Sequence, residues 1–447
     1  MSGNRSALRC VILFVTPLHS WPWVQAQAAR AAEDWHRCVS RPLPSGARYS
    51  PGEQRKRERA YDVCLHTVEK HLDRIPHTEA DRITFERRFK STFARFAATA
   101  LDLHADAVDL ITQGFLPAGT EFARSSRRFD AALSVEEIVQ ACRNAWTVCG
   151  LQPLLGSRLA ITPSIIGYSL LYPYTDNYLD RRDELAQHKR EFCRRFARRL
   201  RGEDLRAQNG HEAAIWALVA MIEGEYPRAR YPEVFDCLLA IHQAQEESIA
   251  QLRGRGVRAD AEILRISLAK GGSSVLADAC LARGWLSEAE SQIAFDWGAL
   301  LQLGDDLQDI REDLRCGSAT LFTLAIAEGR PLDSLIAQLL NFSAHVGAEL
   351  DGFPAGTAML KDLLRVSWRS IIIAAVANVP EYFTAAFLSE LEAASPFRFG
   401  FLAERRHSLA ARRGLFARTF SALVDGPQES PVARSFRRPL VEAGAPY

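Results

Sequence analysis

Apolar residues recur at intervals of three and four along most of the chain, which is the period of an amphipathic α-helix. The strict alternation of apolar and polar residues that is typical of strands is scarce. The pattern predicts helices over residues 54–72, 80–103, 105–119, 182–201, 212–223, 232–252, 332–350, 358–377 and 382–393. Ser134 and Glu137 have the spacing of a capping box at the start of a further helix. We therefore expect an all-α fold.

One predicted helix has both a core face and an acidic face. At about 100° per residue, its apolar side chains fall on one side, namely Ile293, Trp297, Leu300, Leu303, Leu307 and Leu314. Its polar side chains fall within a narrow arc on the other side, with Asp305 beside them, namely Gln302, Asp306, Asp309 and Asp313. A row of carboxylates on an otherwise apolar helix is costly unless a cation binds there.

A second acidic segment lies about 130 residues upstream of the first. Asp176, Asp180 and Asp183 recur there at helical spacing, in a helix that is predicted to begin after Pro163. If the two helices face one another across a pocket, their carboxylates converge, and clustered like charges either raise their pKa values or recruit a metal. Mg²⁺ suits such a pocket, because it takes one or two carboxylates and completes its shell with water and substrate phosphate oxygens.

At these residues the chain resembles the class I isoprenoid (terpenoid) synthase superfamily. Asp305-Asp306-Leu307-Gln308-Asp309 resembles the second aspartate-rich motif of the trans-prenyl diphosphate synthases. Asp309 through Asp313 is also similar to the DxxxD motif of squalene and phytoene synthases, and Asp176 through Asp180 resembles the first motif. Lys270-Gly271-Gly272-Ser273-Ser274 is similar to the prenyl synthase segment that places a lysine and a small hydroxyl residue before the second motif. The resemblance covers about residues 85–324.

The resemblance implies an isoprenoid synthase-type helical bundle around a central cavity, in which several Mg²⁺ ions bridge the diphosphate of an allylic prenyl substrate. It implies metal ligands at Asp176, Asp180, Asp305, Asp306, Asp309 and Asp313, with the catalytic role at Asp176, Asp180, Asp305 and Asp309. It implies substrate-binding roles for Lys270, Arg315, Tyr172 and Gln302. The carbocation formed from the substrate would need aromatic walls, for which Tyr168, Tyr172, Phe295 and Trp297 are close enough in sequence.

Several departures from the family patterns bear on the reaction. Asn177 stands where chain-elongating synthases usually have a second aspartate, and Arg181-Arg182 follows Asp180 where those enzymes have an Arg-Arg-Gly-x-Pro segment. No lysine precedes Thr320 after the second motif. These differences favour a synthase or cyclase that consumes an existing prenyl diphosphate. A chain-elongating prenyl diphosphate synthase and a catalytically silent binding or scaffold protein of the same fold remain as alternatives, and a di-iron bundle is disfavoured because no Glu-x-x-His pair lies near the aspartates.

Substrate chain length and the choice between cyclisation, condensation and hydrolysis depend on the shape of the cavity and stay open. Gly271-Gly272 interrupts a helical pattern at a cost of about 1 kcal/mol per glycine relative to alanine. Close approach of the backbone to a ligand is one reason for such a pair.

Composition supports a large helical enzyme and excludes some partners. The 447 residues are 47% hydrophobic and 24% charged, which is enough apolar material for a sizeable core, and the net charge of +1 gives no reason to expect nucleic acid binding. Nine cysteines occur without a CxxC pair or a zinc-type spacing, as is typical of free thiols in a reducing cytoplasm. Arg5 and Arg9 precede a short apolar run as in a secretory signal, but the run contains Pro17, so a cytoplasmic protein is favoured.

A Pro- and Gly-rich linker at 42–51 divides the chain into parts. We expect a partly disordered N-terminal appendage over residues 1–52, a synthase-like helical domain over 53–395, and a basic helix with a disordered tail over 396–447. In the last part, arginines from Arg398 to Arg418 alternate with apolar residues such as Phe399 and Phe401. This pattern is compatible with peripheral membrane contact, although a solvated helix packed on the body is favoured. A homodimer is also compatible with the sequence.

Overall fold

The computed structural model describes residues 18–39, 42–72, 76, 78–180, 184–253, 260–411 and 413–424. Within these ranges every regular element is a helix, so the all-α prediction is confirmed. The expectations for the possible signal sequence before residue 18, for Arg181, Arg182 and Asp183, and for the tail after residue 424 lie outside the described residues. The backbone of Asp180 is described as helical, but its side chain is not.

The first helices are α1 (Trp21–Arg37), α2 (Pro51–Leu72), α3 (Glu79–Thr99), α4 (Ala105–Asp109), a π-helix (Leu110–Phe115), α5 (Leu116–Phe129), α6 (Val135–Leu154), α7 (Pro163–Asp180), α8 (Ala186–Leu200) and α9 (Gly210–Glu225). They are followed by α10 (Pro232–Arg253), α11 (Asp260–Arg283), α12 (Glu288–Gln308), α13 (Ile310–Cys316) and α14 (Leu321–Ala327). The last are α15 (Asp333–Glu349), α16 (Ala358–Asn378), α17 (Ala385–Glu392), α18 (Phe399–Ala411) and α19 (Arg413–Val424). The capping box of Ser134 and Glu137 is confirmed at the start of α6.

Helix α11 lies at the centre of the bundle. It packs against α12, α10, α6 and α1, and nearly all of its side chains from Ile263 to Ala282 are buried. A helix that is buried on all sides must be apolar or small all round. The alanines, leucines and glycines of α11 meet that requirement.

Glycines allow α11 and α12 to cross at very short range. A Cβ atom built on Gly298 would lie 2.1 Å from the carbonyl oxygen of Gly271, and one built on Gly272 would lie 2.4 Å from the ring of Phe295. Helix α11 runs without a break through Gly271 and Gly272. The glycine pair therefore allows the two helices to pack closely. Close approach of the backbone to a ligand, which the sequence suggested, is not needed to explain the pair.

The acidic helix predicted from the sequence is divided into two. Helix α12 ends at Gln308, Asp309 adopts φ −96° and ψ 7°, and α13 begins at Ile310. The predicted core residues of α12 are buried, but Leu314 on α13 is 38% exposed. The expected core position of Leu314 was wrong, because the helical rotation that placed it there does not continue through Asp309.

Residues 18–39 do not behave as the appendage that the linker predicted. Helix α1 buries Trp23, Val24 and Trp35 in the same core as the residues of α11 and α12. Arg30 on α1 donates two hydrogen bonds to the buried carboxylate of Asp296 on α12, at 2.8 and 2.7 Å. The described part of the N-terminal segment is therefore an integral part of the bundle.

The start of the basic C-terminal helix also packs on the body. Phe397 and Phe401 are buried against Tyr61, with ring centroids 5.8 and 5.5 Å from the tyrosine ring. Arg405 donates to Asp62 at 2.7 and 2.9 Å. The aromatic residues that would enter a membrane surface are thus covered by protein, which disfavours the expected membrane contact there. No described helix is long and apolar enough to span a bilayer.

Candidate functional site

A cavity of about 390 Å³ lies among α6, α7, α8, α10, α11, α12 and α16. Its apolar lining consists of Trp146, Tyr168, Leu171, Tyr172, Phe196, Leu200, Leu238, Ile241, Val275, Leu300, Leu301, Trp368, Ile371 and Ile372. Its polar lining consists of Gln140, Arg143, Asn144, Thr147, Thr175, His242, Gln245, Lys270, Ser274, Asp278, Gln302, Asp305 and Gln308. The volume falls within the range that is usual for small-molecule sites.

The cavity extends along one face of α11. Lys270, Ser274 and Asp278 line it at successive turns of this helix, so about 12 Å separates the lysine from the aspartate. Tyr168 on α7 donates a hydrogen bond to the carbonyl oxygen of Ser274 at 3.1 Å, and Asp176 lies near Lys270. Helices α7 and α11 are therefore antiparallel, which brings the C-terminal end of α7 to the lysine end of the cavity.

Charges from both predicted acidic segments act on Lys270. Burial alone would lower the pKa of this ammonium group, but the charges of Asp176, Asp306 and Asp305, together with Tyr172, raise it above its usual value. Asp176 belongs to α7, whereas Asp305 and Asp306 belong to α12. The structure thus brings the two remote segments to one lysine.

Asp176 and Asp305 each have a further partner from another helix. Oδ1 of Asp176 accepts a hydrogen bond from Nε2 of Gln245 on α10 at 2.8 Å. Asp305 forms an ion pair with Arg143 on α6, and its side chain is 28% exposed. Of the six predicted metal ligands, Asp305 lines the cavity directly, and Asp176 stands beside its lining residue Gln245.

Asp306 has a different environment from its neighbour Asp305. Its Oδ1 accepts from Nε2 of Gln302 at 2.8 Å, and its Oδ2 accepts from Oγ of Ser267 on α11 at 2.9 Å. Burial raises the pKa of Asp306 to about 7, although these two hydrogen bonds oppose the change. One oxygen thus bonds to α11 and the other bonds within α12, so both are occupied by hydrogen bonds, and the metal-ligand role of Asp306 stays a prediction.

The acidic row continues from Asp305 beyond the cavity lining. Desolvation, and then the charge of Asp305, raises the pKa of Asp309. Desolvation and the charge of Asp309 raise the pKa of Asp313 to about 6. Arg315, predicted to bind substrate, is exposed, pairs with Glu312 and is absent from the cavity lining. Its predicted role is therefore not supported by its position.

The aromatic candidates divide into two groups. Tyr168 and Tyr172 line the cavity as predicted, and burial raises the pKa of the Tyr172 hydroxyl to about 12. Phe295 instead packs against Trp23 of α1, and Trp297 packs against Trp368 with ring centroids 5.1 Å apart. Trp368 and Phe196 take their place in the lining.

Sequence reasoning missed Arg143, Gln245 and Asp278, which add a cation, an amide and an acid to the cavity. Arginine or glutamine on a helix face is usually a solvated residue, so neither had a local signal. Asp278 did have one, because it is a single carboxylate within the apolar run of α11. That signal was overlooked.

Asp278 is a fully buried acid at the end of the cavity far from Lys270. It is 1% exposed, and its Oδ1 has no hydrogen-bond partner among the described residues. Burial raises its pKa well above the usual value, and no cation opposes this effect. Burial therefore favours the uncharged form of this carboxylic acid, which can donate a hydrogen bond to a bound molecule.

The raised pKa of Asp278 predicts a pH-dependent effect of Asp278→Asn. Because the folded pKa exceeds the unfolded value of about 3.9, the contribution of Asp278 to stability is complete below that value and is lost as pH rises toward the folded pKa. The asparagine variant lacks this loss. The melting temperature of the variant minus that of the wild type should therefore become more positive as the pH rises from 5 to 7. The difference in unfolding free energy should grow by up to about 1.4 kcal/mol per pH unit.

Calorimetry on both proteins across this pH range measures the difference. Asp204→Asn at an exposed position serves as the control and should show a constant difference. A pH-independent difference for Asp278→Asn would mean that Asp278 is charged in the folded protein.

Comparison of the chain with protein-family models, with curated proteins and with solved structures gave no match. The relation to the isoprenoid synthases therefore rests on the motifs of the sequence. The all-α fold and the convergence of Asp176, Asp305 and Lys270 are properties of the structure itself. These properties carry the functional argument below.

Proposed function

We propose that the protein is a Mg²⁺-dependent class I isoprenoid synthase that ionises an allylic prenyl diphosphate and converts it to a terpenoid or prenyl product. One observation carries the proposal. Carboxylates from two segments about 130 residues apart flank one lysine at the end of a cavity whose walls are mainly apolar. Such a cavity has separate places for a charged group and for a hydrocarbon chain.

The donor atoms at the charged end suit a hard divalent cation. Asp176, Asp305 and Asp309 offer carboxylate oxygens, and the raised pKa of Asp309 reflects in part the proximity of Asp305. Added positive charge would relieve that repulsion. Asp305 and Asp309 on one side and Asp176 on the other would hold Mg²⁺, which takes few protein carboxylates and keeps sites for phosphate oxygens. Bound Mg²⁺ would neutralise the charge that develops on the departing diphosphate.

Two cations of the chain can serve the diphosphate directly. Lys270 faces the cavity between the carboxylates, and Arg143 reaches Asp305 from α6. Ammonium and guanidinium groups form charge-assisted hydrogen bonds with phosphate oxygens. Arg143 would exchange its contact with Asp305 for the substrate, so this ion pair holds the guanidinium in position until the substrate binds.

The remaining walls suit the hydrocarbon part. Tyr168, Phe196 and Trp368 contribute rings to a lining of leucines, isoleucines and a valine. Aromatic faces attract a cation by about 0.5 to 2 kcal/mol per contact. The apolar wall also excludes water, which would otherwise capture a carbocation. Burial favours the uncharged form of Asp278 at the far end, which suits an apolar environment.

The test is release of pyrophosphate by the purified chain from allylic diphosphates of about ten to twenty carbons, the range implied by the family resemblance. We expect release that requires Mg²⁺, with a terpenoid or prenyl product detected by mass spectrometry. A saturated alkyl diphosphate of equal length is the matched control, because it cannot form a stabilised allylic cation. No release from any allylic substrate, or equal release from the saturated analogue, would contradict the proposal.

The same assay separates the alternatives. A chain-elongating synthase would require a second, five-carbon homoallylic diphosphate and would give a longer diphosphate as product. A catalytically silent protein would show no turnover. In that case, the melting temperature with Mg²⁺ plus pyrophosphate shows whether the protein still binds a diphosphate. A ligand at 100 times its dissociation constant stabilises a protein by about 2.7 kcal/mol. A rise without turnover indicates a silent binding protein, whereas no rise indicates a scaffold without a diphosphate site.

A further inference from the structure

A second group of ligand atoms lies away from the cavity, where the N-terminal segment meets α10 and α11. His19, Cys237 and Cys280 are each completely buried, and one ligand atom from each lies within 4.8 Å of the others. Sγ of Cys237 is 3.0 Å from Sγ of Cys280, and Sγ of Cys280 is 4.0 Å from Nδ1 of His19. None of the three lines the cavity described above.

Contacts on both ring nitrogens orient the His19 ring. Nε2 lies 2.8 Å from Oγ of Ser291, which also lies 2.8 Å from the carbonyl oxygen of Ser287. Nδ1 is therefore the ring nitrogen that lies toward the thiols, 4.0 Å from Sγ of Cys280. In the tautomer protonated at Nε2, Nδ1 carries a lone pair that can bind a metal ion.

The backbone of His19 is also specifically held. Its φ is +65°, in the left-handed region that residues other than glycine rarely adopt. The ring packs edge-on against Trp23 of α1 with centroids 5.5 Å apart. A costly conformation of this kind persists only where surrounding contacts fix it. Here those contacts direct an imidazole lone pair toward two sulfur atoms.

We propose that His19, Cys237 and Cys280 form a structural binding site for a thiophilic divalent metal ion of the zinc class. Two sulfur ligands and one imidazole nitrogen are the donors that zinc prefers, and a hard ion such as Mg²⁺ does not select them. A histidine ligand commonly donates its other ring N–H to a second group that orients it, and Ser291 has that position here. Binding releases two thiol protons to solvent, so that both sulfurs bind as thiolates.

Glu233 lies near the three ligand residues but is not part of the cluster. It lies one turn before Cys237 on the same face of α10, and its Oε2 is buried with no hydrogen-bond partner among the described residues. Its charge acts on both His19 and Cys280. With a fourth ligand from Glu233 or from water, the ion would have the four-coordinate shell that is usual for zinc.

A disulfide between the two cysteines explains less of the arrangement. Cys237 and Cys280 are not in a disulfide, and 3.0 Å is well beyond the S–S bond length of about 2.0 Å. A disulfide would also leave Nδ1 of His19 unused. A metal ion would bind all three groups and would tie the N-terminal segment to α10 and α11.

The experiment uses the full chain, purified without chelators from cells supplied with Zn²⁺, and then from cells supplied with Co²⁺. We expect about one zinc ion per chain by elemental mass spectrometry. The cobalt-loaded protein should show a thiolate-to-cobalt charge-transfer absorption band. Cys237→Ser and Cys280→Ser should each lower the zinc content at least tenfold and remove the band. Cys149→Ser, which removes an equally buried thiol elsewhere, should change neither.

Three results would overturn the proposal. These are metal-free wild-type protein that also lacks the cobalt band, equal zinc content in the wild type and the serine variants, and a Cys237–Cys280 disulfide found by peptide mass spectrometry under non-reducing conditions. The wild-type cobalt spectrum decides the question even if a serine variant does not fold. None of these measurements involves diphosphate turnover, so this site and the proposed function can fail separately.

Discussion

Asp305→Asn is expected to lower the rate of pyrophosphate release by at least about 100-fold, the scale on which loss of one transition-state contact usually acts. The substitution keeps the shape of the side chain and a hydrogen-bond acceptor for Arg143, but it removes a negative charge from the cavity wall. Under the proposed function, that charge holds Mg²⁺ and positions Lys270. Asp309→Asn should act in the same direction, because Asp309 extends the same acidic row.

The measurement is the initial rate of pyrophosphate release at saturating Mg²⁺, with helix content followed by circular dichroism. Glu312→Gln is the matched control, since it removes a nearby carboxylate on α13 that does not line the cavity. Its rate should stay within about twofold of the wild type, as expected for a residue outside the site. Full activity of both Asp305→Asn and Asp309→Asn, with unchanged helix content, would show that the mechanism proposed for the acidic row is wrong.

Gly298→Ala is expected to lower the free energy of unfolding by about 3 kcal/mol or more, at the upper end of what overpacking costs. The added methyl group would lie 2.1 Å from the carbonyl oxygen and 2.7 Å from the carbonyl carbon of Gly271. Both atoms belong to the backbone of α11, so no side chain can rotate away to make room. The two central helices must separate instead, and the buried contacts along them are lost.

Gly304→Ala on the same helix provides the control. Nothing lies within 4 Å of the Cβ atom that this substitution adds, and alanine is favoured over glycine in a helix by up to about 1 kcal/mol. The control should therefore raise the urea midpoint slightly, whereas Gly298→Ala should lower it strongly. Equal midpoints for the two variants would show that α11 and α12 are not in the close contact described here.

Much of the helical structure could be predicted from the sequence, because its signals act within a few residues. The capping box at Ser134 and Glu137 and the apolar period of α12 each depend on contacts between neighbouring turns. The prediction failed where a local rule was extended through a break. Leu314 was assigned to the core by continuing the rotation of α12 past Asp309, where the helix ends.

The candidate site could be predicted only in part. Asp176 and Asp305 were identifiable because charged residues within apolar helices are costly and need a reason. Lys270 was identified only through the resemblance of its segment to a family motif. Arg143 and Gln245 were not, because nothing near them in the sequence distinguishes them from surface residues. Asp305 and Asp306 are adjacent in an acidic motif, yet one lines the cavity and the other is consumed by hydrogen bonds to Gln302 and Ser267. Which of the two lines the cavity depends on how α12 is rotated about its axis relative to α11.

By itself the sequence determined that this protein is a set of amphipathic and buried helices, two of which carry carboxylates beside apolar faces. Tertiary structure alone decided which groups meet. It brought Asp176 and Asp305 to Lys270, and it placed His19 beside Cys237 and Cys280, more than 200 residues away in the chain. The physical reason is the separation along the sequence over which each kind of interaction acts. Helical periodicity and capping depend on residues three or four positions apart, whereas a cavity or a ligand cluster depends on how whole helices pack.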